Sequence, residues 1–186
     1  MQERKLVKRN KRVQGFSLIE VLVVVAIILI IAAIAIPNLL RARVAGNQGS
    51  AVASLRALYS AATTYQSAFN VYPVTFAELA SGSTAGTSVC GASDNMPINW
   101  NAATVVLNGY NFSMGVGDGV APTPLPGICP DGNSGFTAIA SPSTGAPGTN
   151  GAFYCLDEKG TIYYSTTAAF AVGQVCATQG GTVLGN

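Results

Sequence analysis

The side chains able to do chemistry are few, and their placement narrows what the chain can do. The sequence contains no histidine, which removes Ser-His-Asp triads, Cys-His pairs, histidine metal sites and haem attachment through C-x-x-C-H. Its cysteines are Cys90, Cys129, Cys155 and Cys176. No C-x-x-C spacing occurs among them, which argues against zinc and thioredoxin-type sites. Disulfides are the natural reading of an even number, with three pairings open. Asp118 and the run Asp131-Gly132-Asn133-Ser134-Gly135 offer oxygen ligands of the kind calcium takes. The run lacks the EF-hand spacing and its terminal glutamate, and turn chemistry accounts for the same residues, so no metal or cofactor is assigned. No carboxylate pair has a spacing that defines an acid–base couple, and no catalytic residue is assigned. The acid that calls for an explanation is Glu20, which stands immediately before a long apolar run.

That run, residues 21–36, is sixteen consecutive apolar residues ended by Pro37. As a helix it covers about 24 Å, and residues 16–40 cover about 37 Å, enough to cross a bilayer core of about 30 Å. The charge is divided around it. Residues 1–15 carry six basic residues and one acid, for +5, while residues 16–186 carry four basic residues and seven acids, for −3. The positive-inside rule places the basic end in the cytoplasm and the bulk of the chain outside it. A negative body argues against nucleic-acid binding by the isolated C-terminal part. Two plainer readings exist: a secretory signal peptide with Ala33-Ile34-Ala35 as its cleavage site, or a simple single-span anchor. Neither gives Glu20 a task, although a carboxylate carries an insertion penalty in such a segment.

With 49% apolar and 10% charged residues, the chain is no disordered polymer, and its aperiodic glycines exclude collagen. Past Pro37 a helical pattern resumes. Val44, Ala51, Leu58 and Tyr65 recur every seven residues, and Leu55, Ala62 and Phe69 fall four residues after Ala51, Leu58 and Tyr65, forming one apolar stripe. The aromatic residues on this helix read as packing residues. If continuous from Phe16 to Phe69, the helix is about 80 Å long, weakened by Gly46 and Gly49 and by the backbone bond that Pro37 removes. Tyr72-Pro73 stops it. Residues 74–80 read as a short helical turn capped by Thr75, and residues 81–101 and 117–133 as Gly-rich loops. Residues 104–107 and 110–114 flank Asn108-Gly109, a type I′ hairpin signal. A strand is expected over 136–140 and a second hairpin over 153–165. Residues 166–186 read as a small-residue tail tied down by Cys176. The sequon Asn111-Phe112-Ser113 falls inside the first hairpin, so glycosylation is not inferred. The sum is α+β: a long N-terminal helix, its first half apolar and its second amphipathic, followed by a head with four to five antiparallel strands.

Gly15-Phe16-Ser17-Leu18-Ile19-Glu20, followed by the apolar run and Pro37, closely resembles the N-terminal signal of type IV prepilins and the related pseudopilins. The likeness is sharp over residues 9–45 and one of organisation beyond them. It implies cleavage between Gly15 and Phe16 by a prepilin peptidase, then N-methylation of Phe16. It implies assembly roles for Glu20 and Pro37, with Glu20 paired to the Phe16 amine of a neighbouring subunit. It also implies a disulfide between Cys155 and Cys176 around the last strands, leaving Cys90 with Cys129.

The resulting organisation is a leader over residues 1–15, a long helix over 16–69 and a β-rich head over 70–186. The implied partners are further copies of the chain in a helical filament, the prepilin peptidase, the inner-membrane pilus assembly machinery, and the membrane itself before assembly. The chain would do no chemistry. The alternative is a type II secretion pseudopilin, whose major form carries calcium in its head.

Overall fold

The computed structural model describes residues 15–73, 75–79, 100, 103–117, 135–143 and 151–185. Cys90, Cys129, Asp118 and residues 131–134 of the Asp-Gly-Asn-Ser-Gly run lie outside these residues, as do most of the two expected Gly-rich loops. Contacts divide the chain into two units, Met1–Leu39 and Leu40–Asn186.

One helix, α1 (Leu18–Phe69), passes through Pro37, Gly46 and Gly49 without interruption. Pro37 has no N–H to give to the carbonyl four residues back, but its fixed φ is helical and the turns on either side hold. The helix ends at Asn70, which takes a left-handed φ of 60° and donates its N–H to the Gln66 carbonyl at 2.7 Å. Asparagine is one of the few residues that adopt this conformation at a helix C-terminus. The stop thus falls just before Tyr72-Pro73. A single turn, α2 (Phe76–Leu79), follows, opened by the Thr75 carbonyl accepting from Glu78 N–H at 3.3 Å.

The sheet is an antiparallel meander of six strands in chain order, β1 (Thr104–Leu107), β2 (Tyr110–Val116), β3 (Phe136–Pro142), β4 (Phe153–Leu156), β5 (Ile162–Ser165) and β6 (Thr182–Val183). The β1–β2 turn is the expected Asn-Gly: Asn108 and Gly109 have φ of 48° and 78°, the signs a type I′ turn requires. The Asn108 side chain donates to Ser50 Oγ at 2.6 Å, tying the turn to α1. In the β4–β5 turn, Asp157 Oδ1 accepts from the N–H groups of Lys159 at 3.1 Å and Thr161 at 2.8 Å. β6 is the strand absent from the sequence reading. Two residues between Gly181 and Gly185 are too short to show a period, and only the partner strand β5 reveals them.

Register sets the two faces. Val105, Phe112, Ala140 and Tyr154 lie opposite one another in successive strands. With Phe136, Ala138, Leu156 and Ile162 they bury against Ala51, Leu55, Leu58, Ala61, Ala62 and Tyr65 of α1. The other face carries the row Ile139, Cys155 and Tyr163. The expected tail covers it, packing Phe170 and Cys176 onto Ile139 and Cys155. Cys155 and Cys176 form a disulfide with Cα atoms 5.7 Å apart. Between the strands, the tail holds a 3-10 helix (Cys176–Gln179). The Gln179 side chain accepts from Ala171 N–H at 2.6 Å and donates to the carbonyls of Ala171 and Gln174, each at 3.2 Å. A side-chain amide thus satisfies backbone groups that have no ladder. The buried Thr137 hydroxyl donates to the Val116 carbonyl at 3.3 Å and accepts from Gly173 N–H at 3.4 Å. Gly115 permits the close approach, since a Cβ there would lie 2.6 Å from Val172 Cγ1. With both faces covered, residues 136–140 are all buried and show no alternation.

Two expectations follow. The disulfide closes a sequence separation of 21 residues, worth roughly 3 kcal/mol by loop-closure entropy. The double variant Cys155→Ala, Cys176→Ala should lose about that much stability in denaturant unfolding of the detergent-solubilised chain. Hydrogen exchange at Ala171 and Gly173 should rise before exchange in β1 and β2; a loss under about 1 kcal/mol, or uniform exchange, would show that the tail holds without the staple. The second concerns Tyr110, whose hydroxyl donates to the Ala152 carbonyl at 3.1 Å. Burial, then the neighbouring Tyr154, pushes its pKa up to about 12 from 10.0. A raised folded-state pKa means that its contribution is intact below pH 10 and is lost as pH rises from 10 through about 12. Tyr110→Phe should be slightly less stable at pH 8 and should lose less between pH 10 and 12 than the wild type, measured by urea midpoints.

Candidate processing and assembly site

Gly15, Phe16 and Ser17 precede the first turn of α1, and all three are exposed, Phe16 to 89%. A Cβ on Gly15 would meet nothing within 4 Å, so no packing among the described residues accounts for glycine there. Among the described residues the Gly15–Phe16 peptide bond therefore lies on open backbone, ahead of the helix.

The start of α1 is built by Ser17 and Glu20. The Ser17 carbonyl accepts from the N–H groups of Glu20 at 3.1 Å and Val21 at 3.4 Å, which makes Ser17 the N-cap. Glu20, at the third helical position, reaches back so that its Oε2 accepts from Ser17 N–H at 2.9 Å. This is the carboxylate half of a capping box, for which S-x-x-E is the sequence signature. The signature was present in the sequence and pointed to a role for Glu20 inside its own chain. A carboxylate also stabilises the positive end of the helix dipole. Its two oxygens offer about four acceptor positions, so the cap leaves room for a second donor. The bonded N–H belongs to the residue directly after Phe16, so a free amine on Phe16 would arise one residue from this carboxylate.

Beyond the cap, the large apolar side chains from Leu18 to Leu40 are all exposed. An eighteen-residue window of the helix reaches a mean hydropathy of 3.3 with none of it buried. A helix apolar on every side has no solvated face and needs an apolar environment, lipid or packed helices. Glu20 sits on the first turn of this surface, and Pro37 marks its far part. Cys155 and Cys176 belong to the head and its sheet. Gly15 and Phe16 thus lie just ahead of the turn that carries Glu20, while Pro37 lies further along the same helix.

Comparison with known proteins falls on the same segment. The family model for the prokaryotic N-terminal methylation motif matches residues 10–36, which include Gly15, Phe16 and Glu20. The chain is 52% identical over 52 residues, 28% of its length, to the type IV major pilin protein PilA of Myxococcus xanthus, of which the match covers 24%. It is 40% identical over 68 residues, 37% of its length, to the type II secretion system core protein G of Vibrio cholerae, of which the match covers 47%. The chain thus spans about a quarter and about half of these relatives. No solved structure matches it. The chain carries a prokaryotic N-terminal methylation motif at the head of an apolar helix, and is similar to a type IV pilin and to a type II secretion core protein.

Proposed function

We propose that the chain is a structural subunit of a type IV pilus. The observation that carries the reading is an acid on the first turn of α1, directly ahead of an unbroken apolar run whose large side chains are all exposed, just behind Gly15-Phe16 and inside the matched methylation motif. In this reading the precursor inserts with residues 1–15 in the cytoplasm, and its head lies outside the inner membrane. The prepilin peptidase cuts between Gly15 and Phe16 and methylates the new amine. The basic leader is lost and the apolar helix is kept. Inner-membrane assembly machinery then moves subunits from the bilayer into a helical filament, where the apolar helices bury one another. Each contact joins two different patches, so the array stays open and grows. The protein itself catalyses nothing.

Glu20 has two tasks here. It caps its own helix, and its remaining acceptor capacity pairs with the methylated Phe16 amine of a neighbour. In an apolar core an unpaired carboxylate is costly, so only the axial offset that brings an amine to it is tolerated, and that sets the register between neighbours. The similarity to core protein G supports a second reading, a pseudopilin of a type II secretion system, which shares every N-terminal step. Long extracellular fibres under the electron microscope favour the pilus.

The test is intact-mass analysis with two variants. The mature protein should begin at N-methylated Phe16; a start at Ile36 would establish ordinary signal cleavage instead. Glu20→Gln keeps an acceptor for the cap but removes the charge, whereas Glu20→Val removes both. Both should be cut at Phe16, and both should lower the yield of sheared filaments by more than about tenfold. Normal yield with Glu20→Gln would show that the cap alone matters and would overturn the register pairing.

A further inference from the structure

The N-terminal machinery leaves two cations of the head without a task. Arg56 of α1 and Lys159 of the β4–β5 turn line one cleft of about 340 Å³, with Gly160, Thr161 and Ile162 beside them and Val183, Leu184 and Gly185 on the other side. The turn is seated firmly against the helix. Gly160 has φ of 80°, and a Cβ there would lie 2.8 Å from Cζ of Tyr59, one turn along α1 from Arg56. Both cations are exposed, and neither has an ion pair among the described residues. Of the acids adjacent in sequence, one is engaged in the turn and the other lies on the side of Gly135. Asp157 is buried with Oδ1 holding the Lys159 and Thr161 amides, and the Glu158 side chain lies against Gly135.

This concentration is unusual for the composition. Residues 16–186 contain four cations, Arg41, Arg43, Arg56 and Lys159, against seven acids. Two of the four cations of residues 16–186 therefore line one cleft, with no ion pair to either among the described residues. We propose that the cleft receives a carboxylate side chain from a second copy of the chain, as a contact between heads; this rests on the polymeric reading above. Charge complementarity selects the occupant, because residues 16–186 of every copy carry seven carboxylates against four cations. The cleft and its ligand are different patches of one molecule, so the contact is heterologous and repeats along an open array. A guanidinium presents a planar fork to a carboxylate, and an ammonium adds a point charge. Exposed pairs of this kind contribute little affinity, and their effect is on the orientation of one head against the next.

Lys159 is the sole lysine of residues 16–186, so coupling of a side-chain amine to a carboxylate reports on this cleft alone. Sheared wild-type filaments treated with a water-soluble carbodiimide should yield covalent dimers on a denaturing gel, with Lys159 linked to an Asp or Glu peptide of another copy. The detergent-solubilised membrane pool should yield none. Lys159→Arg keeps the charge but has no amine, so it should form filaments and lose the dimer. The double variant Arg56→Glu, Lys159→Glu should lose about tenfold in filament yield at low salt, the ratio expected from two exposed pairs. Electron microscopy of the same wild-type sample separates the two readings. Fibres with no Lys159-linked dimer, or with Lys159 coupled only within its own chain, overturn the cleft contact alone. A wild type that forms no filament overturns the pilin reading and this contact with it.

Discussion

Burial of one stripe of α1 against the sheet is the interaction on which the head depends. Ala51, Leu55, Leu58, Ala62 and Tyr65 form a strip narrow enough that alternate residues of five antiparallel strands can cover it. The small residues in the strip let the sheet approach, and Tyr65 and the large rings of Phe112 and Phe136 fill the remaining space. Six short strands in a meander have modest pairing strength of their own. What selects their register is that each strand must present its apolar set to the helix, and a slip of one residue would turn that set away. The Asn108–Ser50 hydrogen bond and the seat of Gly160 on Tyr59 then fasten two hairpin turns to the same helix.

The opposite face of the sheet poses a separate problem, because Ile139, Thr137 and Cys155 point away from α1 and are nonetheless buried. Among the described residues no second helix or sheet covers them. A tail of small residues does so, held by one disulfide, one buried threonine hydroxyl and one glutamine amide. Such a segment buries too little apolar surface to offset its own ordering entropy. The covalent link supplies what packing lacks, in keeping with a compartment where disulfides persist.

At the other end of the chain the same kind of economy appears in Glu20. A carboxylate is an expensive group to place on an apolar helix, yet here it satisfies a backbone amide that the helix leaves open. The cap offsets part of the cost in the isolated chain. It also holds the carboxylate beside the Gly15–Phe16 junction, where a new cation appears only if that bond is cut. The cap leaves other lone pairs of the carboxylate open, so it does not compete with the proposed register pairing.

Much of this was legible in the order of residues. The all-apolar run, the acid before it, the heptad stripe, the Asn-Gly hairpin and the strands over 136–140 and 153–165 are local patterns, and local patterns survive without knowledge of the fold. So does S-x-x-E, whose capping role is legible from Ser17 and Glu20 alone. The tertiary structure decided the rest. Whether residues 182–183 are a strand depends on β5 lying beside them, for two residues have no period of their own. Whether a tail of alanine, glycine and threonine is a cover or a loose end depends on what Phe170 meets, and Ile139 is thirty-one positions away in the sequence. Arg56 and Lys159 are more than a hundred residues apart, and read singly each is an ordinary solvated cation. Periodicity and caps are properties of neighbours along the chain. A covered face or a charged cleft is a property of neighbours in space, and those are set only once α1 and the sheet have packed.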